Sequence, residues 1–238
     1  MERILEGKSA IVTGGTRGIG RAIAEALLNS GASVVVCGRS AESVNRAVAE
    51  LGRTGGKVAG RHADVSNPAD VAALFRYADE QLAGLDILVN NAGIGVFASV
   101  ADMTVEDWRR VIGANLDGVF YCCHEAIPRF RKRGGGFVIN IGSLAGRNPF
   151  AGGAAYNASK FGLNGFSEAM MLDHRYDNVR VSTIMPGSVD TWFGGQAGAA
   201  DWKIAPEDIA EAVLDLLKMP ARSLVSRVEI RPSKPKKG

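Results

Sequence analysis

The chain has 238 residues, 46% of them hydrophobic and 22% charged, with a formal net charge of +3. A chain of that size buries about three quarters of its unfolded surface, so it needs no disulfide or metal to hold a core. The small charge excess argues against a nucleic-acid partner, and no apolar run approaches the roughly 20 residues that span a bilayer.

Ser9–Val12 is a short apolar run that ends in a glycine-rich turn. Arg21–Ser30 follows as a helix, with Ile23, Ala24, Leu27 and Leu28 on one stripe and Gly31 as its stop. Ser33–Cys37 is a strand, Ser43–Leu51 a helix, and Lys57–Arg61 a strand. Asn67 and Pro68 then open a helix to about Leu82, with Asn67 as N-cap and Pro68 in the first turn. Asp86–Val89 is the fourth strand, and Val105–Phe130 reads as one long helix. Strand Phe137–Ile141, helix Ala155–Tyr176, strand Arg180–Ile184, helix Pro206–Leu217 and strand Arg227–Ile230 complete the series. This alternation predicts an α/β fold: a Rossmann-type, doubly wound parallel sheet of about seven strands with helices on both faces. Runs such as Val34-Val35-Val36 and Ile87-Leu88-Val89 suit strands covered on both sides. Residues 1–231 read as a single domain, and Pro232–Gly238 as a mobile basic tail.

Glu6, Gly7 and Lys8 interrupt any secretory leader. Cys37, Cys122 and Cys123 lack a framework spacing and read as small buried hydrophobes. Too few Cys and His residues are grouped to build a zinc site, and no metal is expected. A cytoplasmic location is expected from these features.

The first turn, Thr13-Gly14-Gly15-Thr16-Arg17-Gly18-Ile19-Gly20, joins the first strand to the first helix. Glycines there permit a tight turn and close backbone approach, and the helix N-terminus offers unpaired N–H groups to a diphosphate. After the second strand the chain reads Gly38-Arg39-Ser40, where NAD-selective sites usually carry an acid. Arg39, helped by Arg17, can instead grip a 2′-phosphate, which makes NADP(H) the expected cofactor. Further on, Tyr156 and Lys160 lie one helical turn apart and share a face. A neighbouring ammonium, together with the positive nicotinamide of the oxidised complex, favours phenolate and moves a tyrosine towards the working range of an acid–base catalyst. Ser143 stands at the carboxyl end of a strand, where open α/β sheets bind ligands. Asn115 is a polar residue of poor helix propensity inside a predicted helix.

The spacing T-G-x-x-x-G-x-G resembles that of the short-chain dehydrogenase/reductase family. From about Lys8 to Ile230 the chain also carries, in order, Asp64-Val65, Asn90-Asn91-Ala92-Gly93, Asn115, Ser143, Tyr156-x-x-x-Lys160 and Pro186-Gly187. The resemblance implies hydride transfer between a nicotinamide and a ketone or secondary alcohol. Tyr156 would be the general acid/base and Ser143 would hold the carbonyl. Lys160 would bind the nicotinamide ribose and tune Tyr156, and Asn115 would hold a water that links Lys160 to solvent. It places the cofactor on Gly14, Thr16, Arg17, Gly18, Ile19, Gly20, Arg39, Ser40, Asp64, Val65, Asn91, Ala92, Gly93, Tyr156, Lys160, Pro186, Gly187, Val189 and Thr191. Asp64 would accept from the adenine amino group, whereas Asn90 stabilises the sheet.

The chain is similar to 3-oxoacyl-carrier-protein reductases and related ketoreductases, which suggests a 3-oxoacyl thioester among possible substrates. It departs from them at Asp173-His174-Arg175-Tyr176-Asp177 and in its last strand. The Gly187–Ala205 segment, with Trp192, Phe193 and Trp202, reads either as a lid, which would favour an apolar or partly apolar carbonyl compound, or as an ordinary mobile loop that packs its aromatics on the surface. The expected partners are a small carbonyl or alcohol substrate and further copies of the chain, as a homodimer or homotetramer, with the Cys122–Arg133 helix end at a dimer interface. Two other readings share the fold: a non-catalytic NADP(H)-binding regulator, and an NAD-dependent alcohol or sugar dehydrogenase.

Overall fold

A computed structural model of the protein describes residues 3–191, 193 and 200–235. Its strands are β1 (Ser9–Val12), β2 (Ser33–Gly38), β3 (Val58–His62), β4 (Ile87–Asn90), β5 (Gly136–Ile141), β6 (Val179–Pro186) and β7 (Arg227–Ile230). They form one seven-stranded sheet in the order β3-β2-β1-β4-β5-β6-β7, and every pairing is parallel. The helices are α1 (Gly18–Asn29), α2 (Ala41–Leu51), α3 (Pro68–Gln81), α4 (Val105–Ile112), α5 (Gly118–Arg133), α6 (Ala154–His174) and α7 (Pro206–Lys218). This is the doubly wound fold expected from the alternation.

Successive strand residues point to opposite faces, and both faces are dry. On one side Val12, Val34, Val36 and Ile139 pack with Ile23 and Leu27 of α1 and with Ile209 and Val213 of α7. On the other, Ile11, Val35, Leu88 and Val138 pack with Phe75 of α3, Phe130 of α5 and Leu163 of α6. Between them Asn90 donates to Asn140 Oδ1 at 2.9 Å and to Cys123 Sγ at 3.4 Å, tying β4 to β5 and α5 as expected. All three cysteines are buried, and burial pushes the thiols of Cys37 and Cys123 up to about 11 and about 12.

Local chemistry sets most element ends. Asn67 Oδ1 accepts from the amide of Ala69 at 2.9 Å, and Pro68 occupies the first turn of α3. Gly31, after α1, has φ of +99°. Three boundaries depart from the sequence reading. Helix α1 begins at Gly18, inside the glycine-rich turn, so its free N–H groups lie closer to the bend than expected. The predicted helix Val105–Phe130 is two helices joined by a π-helical turn at Gly113–Asp117, and α5 runs on to Arg133. Helix α6 closes at His174 and passes into a 3₁₀ turn that contains Tyr176.

The strand order reverses between β1 and β4, which opens a crevice at their carboxyl ends. In the expected C-terminal tail, Pro232 is half-buried and its Cδ would stand 3.1 Å from a Cβ built on Gly187. The last three residues of that tail lie outside the described residues.

Candidate active site

The crevice is a cavity of about 910 Å³ running along the carboxyl edge of the sheet. Gly14, Thr16, Arg17, Gly18, Ile19, Arg39, Ser40, Asp64, Val65, Asn91, Ala92, Gly93, Pro186, Gly187, Val189 and Thr191 line it, together with Ser143, Tyr156 and Lys160. Two expected residues lie behind the wall instead. Gly20 is one, and a Cβ there would meet Asn91 Nδ2 at 2.3 Å and the Gly14 carbonyl oxygen at 2.4 Å. Its part is to let α1 dock against the turn. Asn115 is the other.

The turn is held from beneath by a residue the sequence reading passed over. Thr13 Oγ1 accepts the amides of Asn91 and Ala92 at 3.0 and 3.1 Å. Asn91 returns the contact, donating its side-chain amide to the carbonyls of Thr13 and Gly14 at 2.9 and 3.2 Å. The Asn91 side chain therefore pins the turn. Gly14 adopts φ of +64°, and a Cβ on it would lie 2.9 Å from the Ala92 Cα, so main chain faces main chain there. Arg17 is the N-cap of α1 with extended backbone, and no side chain caps the helix.

At the end of β2, a Cβ on Gly38 would stand 2.8 Å from the Thr16 methyl. Any side chain at that position, an acid included, would push on the turn. Arg39, Ser43 and Arg46 line the same stretch of wall. Ser40 caps α2, accepting from the amide of Ser43 at 3.4 Å. Asp64 is partly committed as well: its Oδ1 accepts the amide and hydroxyl of Ser66 at 2.9 and 2.7 Å.

At the other end of the cavity Ser143 follows β5 and caps a short 3₁₀ turn, Leu144–Gly146, its hydroxyl accepting from the amide of Ala145 at 3.1 Å. Tyr156 and Lys160 project from the first turns of α6 on one face. Ser143 lies beside the Tyr156 phenol on the wall of the cavity. Lys160 is buried, and its ammonium donates to the Ile141 carbonyl at 2.8 Å, 5.8 Å from the centre of the Tyr156 ring. Burial lowers Lys160 to about 8. Tyr156 is raised above 10.0, with burial the larger cause and the Ser143 hydroxyl opposing it. The Lys160 ammonium is turned to the strand carbonyl, and desolvation of the phenol is the larger influence on Tyr156.

Asn115 sits in the π turn, and both hydrogens of its side-chain amide are used. Its Oδ1 accepts the Ile94 amide at 2.8 Å, while Nδ2 donates to the Ile94 carbonyl at 2.9 Å and to Ser159 Oγ at 3.1 Å. Three rings that were not singled out together close the cavity around Tyr156. Phe97 is edge-on to the tyrosine at 5.8 Å between centroids, Phe193 lies 5.5 Å away on another side, and Phe150 packs on Phe97 at 5.7 Å. Their signal was positional: Phe97 and Phe150 stand in loops that leave the carboxyl ends of β4 and β5. Of the expected lid, Val189 bridges Ile204 and Trp202 is half-buried, whereas Trp192 lies outside the described residues.

The family profile for the short chain dehydrogenases matches residues 8–201, most of the chain and both ends of this site. The chain belongs to the short-chain dehydrogenases. Like them it is an oxidoreductase of the CH–OH/C=O type. A 3β-hydroxysteroid dehydrogenase of Mediterraneibacter gnavus is 37% identical over 92% of this chain and 79% of its own length. A metagenomic short-chain oxidoreductase solved with NADP superposes with a TM-score of 0.85 at 35% identity, covering 97% of this dehydrogenase and 99% of that chain. A 7α-hydroxysteroid dehydrogenase, solved with NADH and 7-oxo glycochenodeoxycholic acid, superposes with a TM-score of 0.90 at 30% identity, over 98% of this chain and 96% of its own. Among the described residues of this dehydrogenase, no helix is long and apolar enough to cross a membrane.

Proposed function

We propose that the protein interconverts a ketone and a secondary alcohol with NADP(H), and that Tyr156 passes the proton. The observation that carries this reading is the grouping of Ser143, Tyr156 and the buried Lys160 at the far end of a cavity that begins at a bare glycine turn.

The residues present fit a dinucleotide. Main chain at Gly14 and the uncapped start of α1 suit a diphosphate, and Arg17 and Arg39 suit a 2′-phosphate. The crowding at Gly38 leaves no room for the acid that would bind a bare 2′-hydroxyl. The NADP bound in one relative supports the same choice, while the NADH bound in another makes it worth testing. Bound there, the nicotinamide supplies or accepts the hydride.

The chain's own residues do the rest. Ser143 orients the substrate oxygen against Tyr156. A phenol raised by burial is protonated at neutral pH, which equips Tyr156 to donate to a forming alkoxide. Lys160, held near 8, is mostly an ammonium at pH 7 and stabilises the phenolate left behind. Both Nδ2 hydrogens of Asn115 are taken, so a water held by this residue would bind to the second lone pair of Oδ1 or to its main-chain carbonyl in the π turn. Replacing Tyr156 by Phe should lower turnover about 10³-fold while NADPH titration gives the same Kd. Turnover close to wild type would remove the assignment.

The same reading includes self-association through α5 and α6, whose outer faces carry the exposed rings of Phe120 and Phe161. Sedimentation of wild type and Phe120→Glu tests it: a dimer or larger species that the charge disrupts is the expected result.

A further inference from the structure

We propose that Phe97, Phe150 and Phe193 form a platform for the substrate, and that the substrate is a ketone borne on a flat hydrocarbon ring system. This rests on the reading of Tyr156 as proton donor, since the platform is defined by its distance from that hydroxyl-bearing ring.

The three rings arrive from three separate loops, following β4, β5 and β6; two of them meet Tyr156 and the third packs on one of those two. Tyr156 has Phe97 edge-on at 5.8 Å and 76°, and Phe193 tilted at 5.5 Å and 54°. Phe150 extends the surface outward from Phe97 at 5.7 Å and 57°. Phe97 and Phe193 line the cavity, and Phe150 stands outside its wall behind Phe97; the three are large apolar groups at 46%, 39% and 46% exposure. Such rings, gathered at a cleft rather than scattered, mark a surface that a ligand covers.

The backbone is shaped to let them gather. A Cβ on Gly95 would stand 2.7 Å from Phe193 Cε1 and 2.8 Å from Phe97 Cζ. A Cβ on Gly153 would stand 2.7 Å from Phe150 Cε2. A side chain at Gly95 would push Phe97 and Phe193 off Tyr156, and one at Gly153 would press on Phe150 and Asn157. Two glycines in separate loops thus serve the same cluster.

The chemistry of the cluster selects its ligand. A carbonyl oxygen seated between Tyr156 and Ser143 must direct its substituents against these rings, which offer no hydrogen bond. A polyol or a free acid would bring its polar groups there without partners. A flexible acyl chain could lie on the rings only by giving up rotational freedom. A rigid ring system gives up none, and it presents edges and faces that pair with tilted phenyl groups. A linear 3-oxoacyl thioester fits this surface less well than a fused bicyclic or polycyclic ketone.

The test compares tetralone and decalone with 2-decanone, of equal carbon number, and with an acetoacetyl thioester. With NADPH, kcat/KM for the ring ketones should exceed that for 2-decanone by about 10-fold or more, and Phe97→Ala or Phe150→Ala should collapse this ratio. A second measurement needs no turnover. In the Tyr156→Phe enzyme loaded with NADPH, the ring ketones should bind about 10-fold more tightly than 2-decanone, and Phe97→Ala should erase the difference. Equal binding of ring and chain, a preference for the thioester, or an unchanged ratio in both alanine variants overturns the platform while leaving the role of Tyr156 standing. Full turnover by Tyr156→Phe overturns the catalytic reading on which the platform depends.

Discussion

Beside β1 and β2 the cleft is floored by a glycine turn and rimmed by Arg17, Arg39 and Arg46, whereas beside Tyr156 it is walled by rings. At the first end a carbon added to Gly14, Gly20 or Gly38 meets neighbouring atoms within 3 Å, so the shape is set by the path of the backbone. At the second, Phe97, Phe150 and Phe193 are 39–46% exposed and come from loops that the sheet positions only at their roots. A surface fixed by backbone cannot vary without disturbing the fold. A surface made of side chains on loops can change its ligand and keep everything else. The two ends therefore divide the labour between a constant reactant and a variable one.

That contrast can be broken from either side. The largest effects should fall on the groups between the two ends. Lys160→Met should cut turnover by about 10²-fold or more with every ketone, because it removes the charge that stabilises a phenolate; a loss confined to one substrate would contradict this. At the backbone end, Gly20→Ala forces a methyl into Asn91 and Gly14 and should cost about 1–3 kcal/mol in urea denaturation, with weaker NADPH binding. Wild-type stability would show that the turn can yield. Next in size, Arg39→Ala should raise the KM for NADPH by about 10-fold or more, as expected for one charge-assisted contact, with a much smaller change for NADH. An equal change for both cofactors would return Arg39 to the solvated surface. The mildest test is pH. Lys160 is depressed to about 8, so its ammonium is intact below that value and is lost as pH rises through it. Ketone reduction should decline above about pH 8, and Lys160→Arg should move the decline upward. A rate that is flat to pH 10 would separate Lys160 from the chemistry.

The same division explains what could be read in advance. Strands such as Val34–Val36 are apolar throughout because both faces are covered, and the order of glycine turn, Ser143, Tyr156 and Lys160 follows from their places at strand ends and on a helix face. These are local rules, and they gave the sheet and the reacting groups. Gly20 was placed against the cofactor when it serves helix docking, because one-dimensional spacing does not distinguish a glycine that faces a ligand from one that faces a neighbour. Thr13 was overlooked because its partners, Asn91 and Ala92, lie far along the chain. The burial that raises Tyr156 could not be read in advance, because desolvation depends on everything packed around the ring, which a spacing of four residues does not contain. The ring platform needed three loops to be brought together, and no periodicity links Phe97, Phe150 and Phe193.

The π turn at Gly113–Asp117 has a consequence of another kind. Such a turn holds one residue more than the α-helical path would, and each residue of an α-helix sweeps about 100° around its axis. Removing one residue between 113 and 117 would therefore heal the helix into a regular one and swing Asn115 away from Ile94 and Ser159. The missing residue would improve the local hydrogen-bond ladder while disconnecting the floor of the active site. At this point in the chain a single-codon deletion is more dangerous than most replacements, and a gain in helix regularity would be its signature.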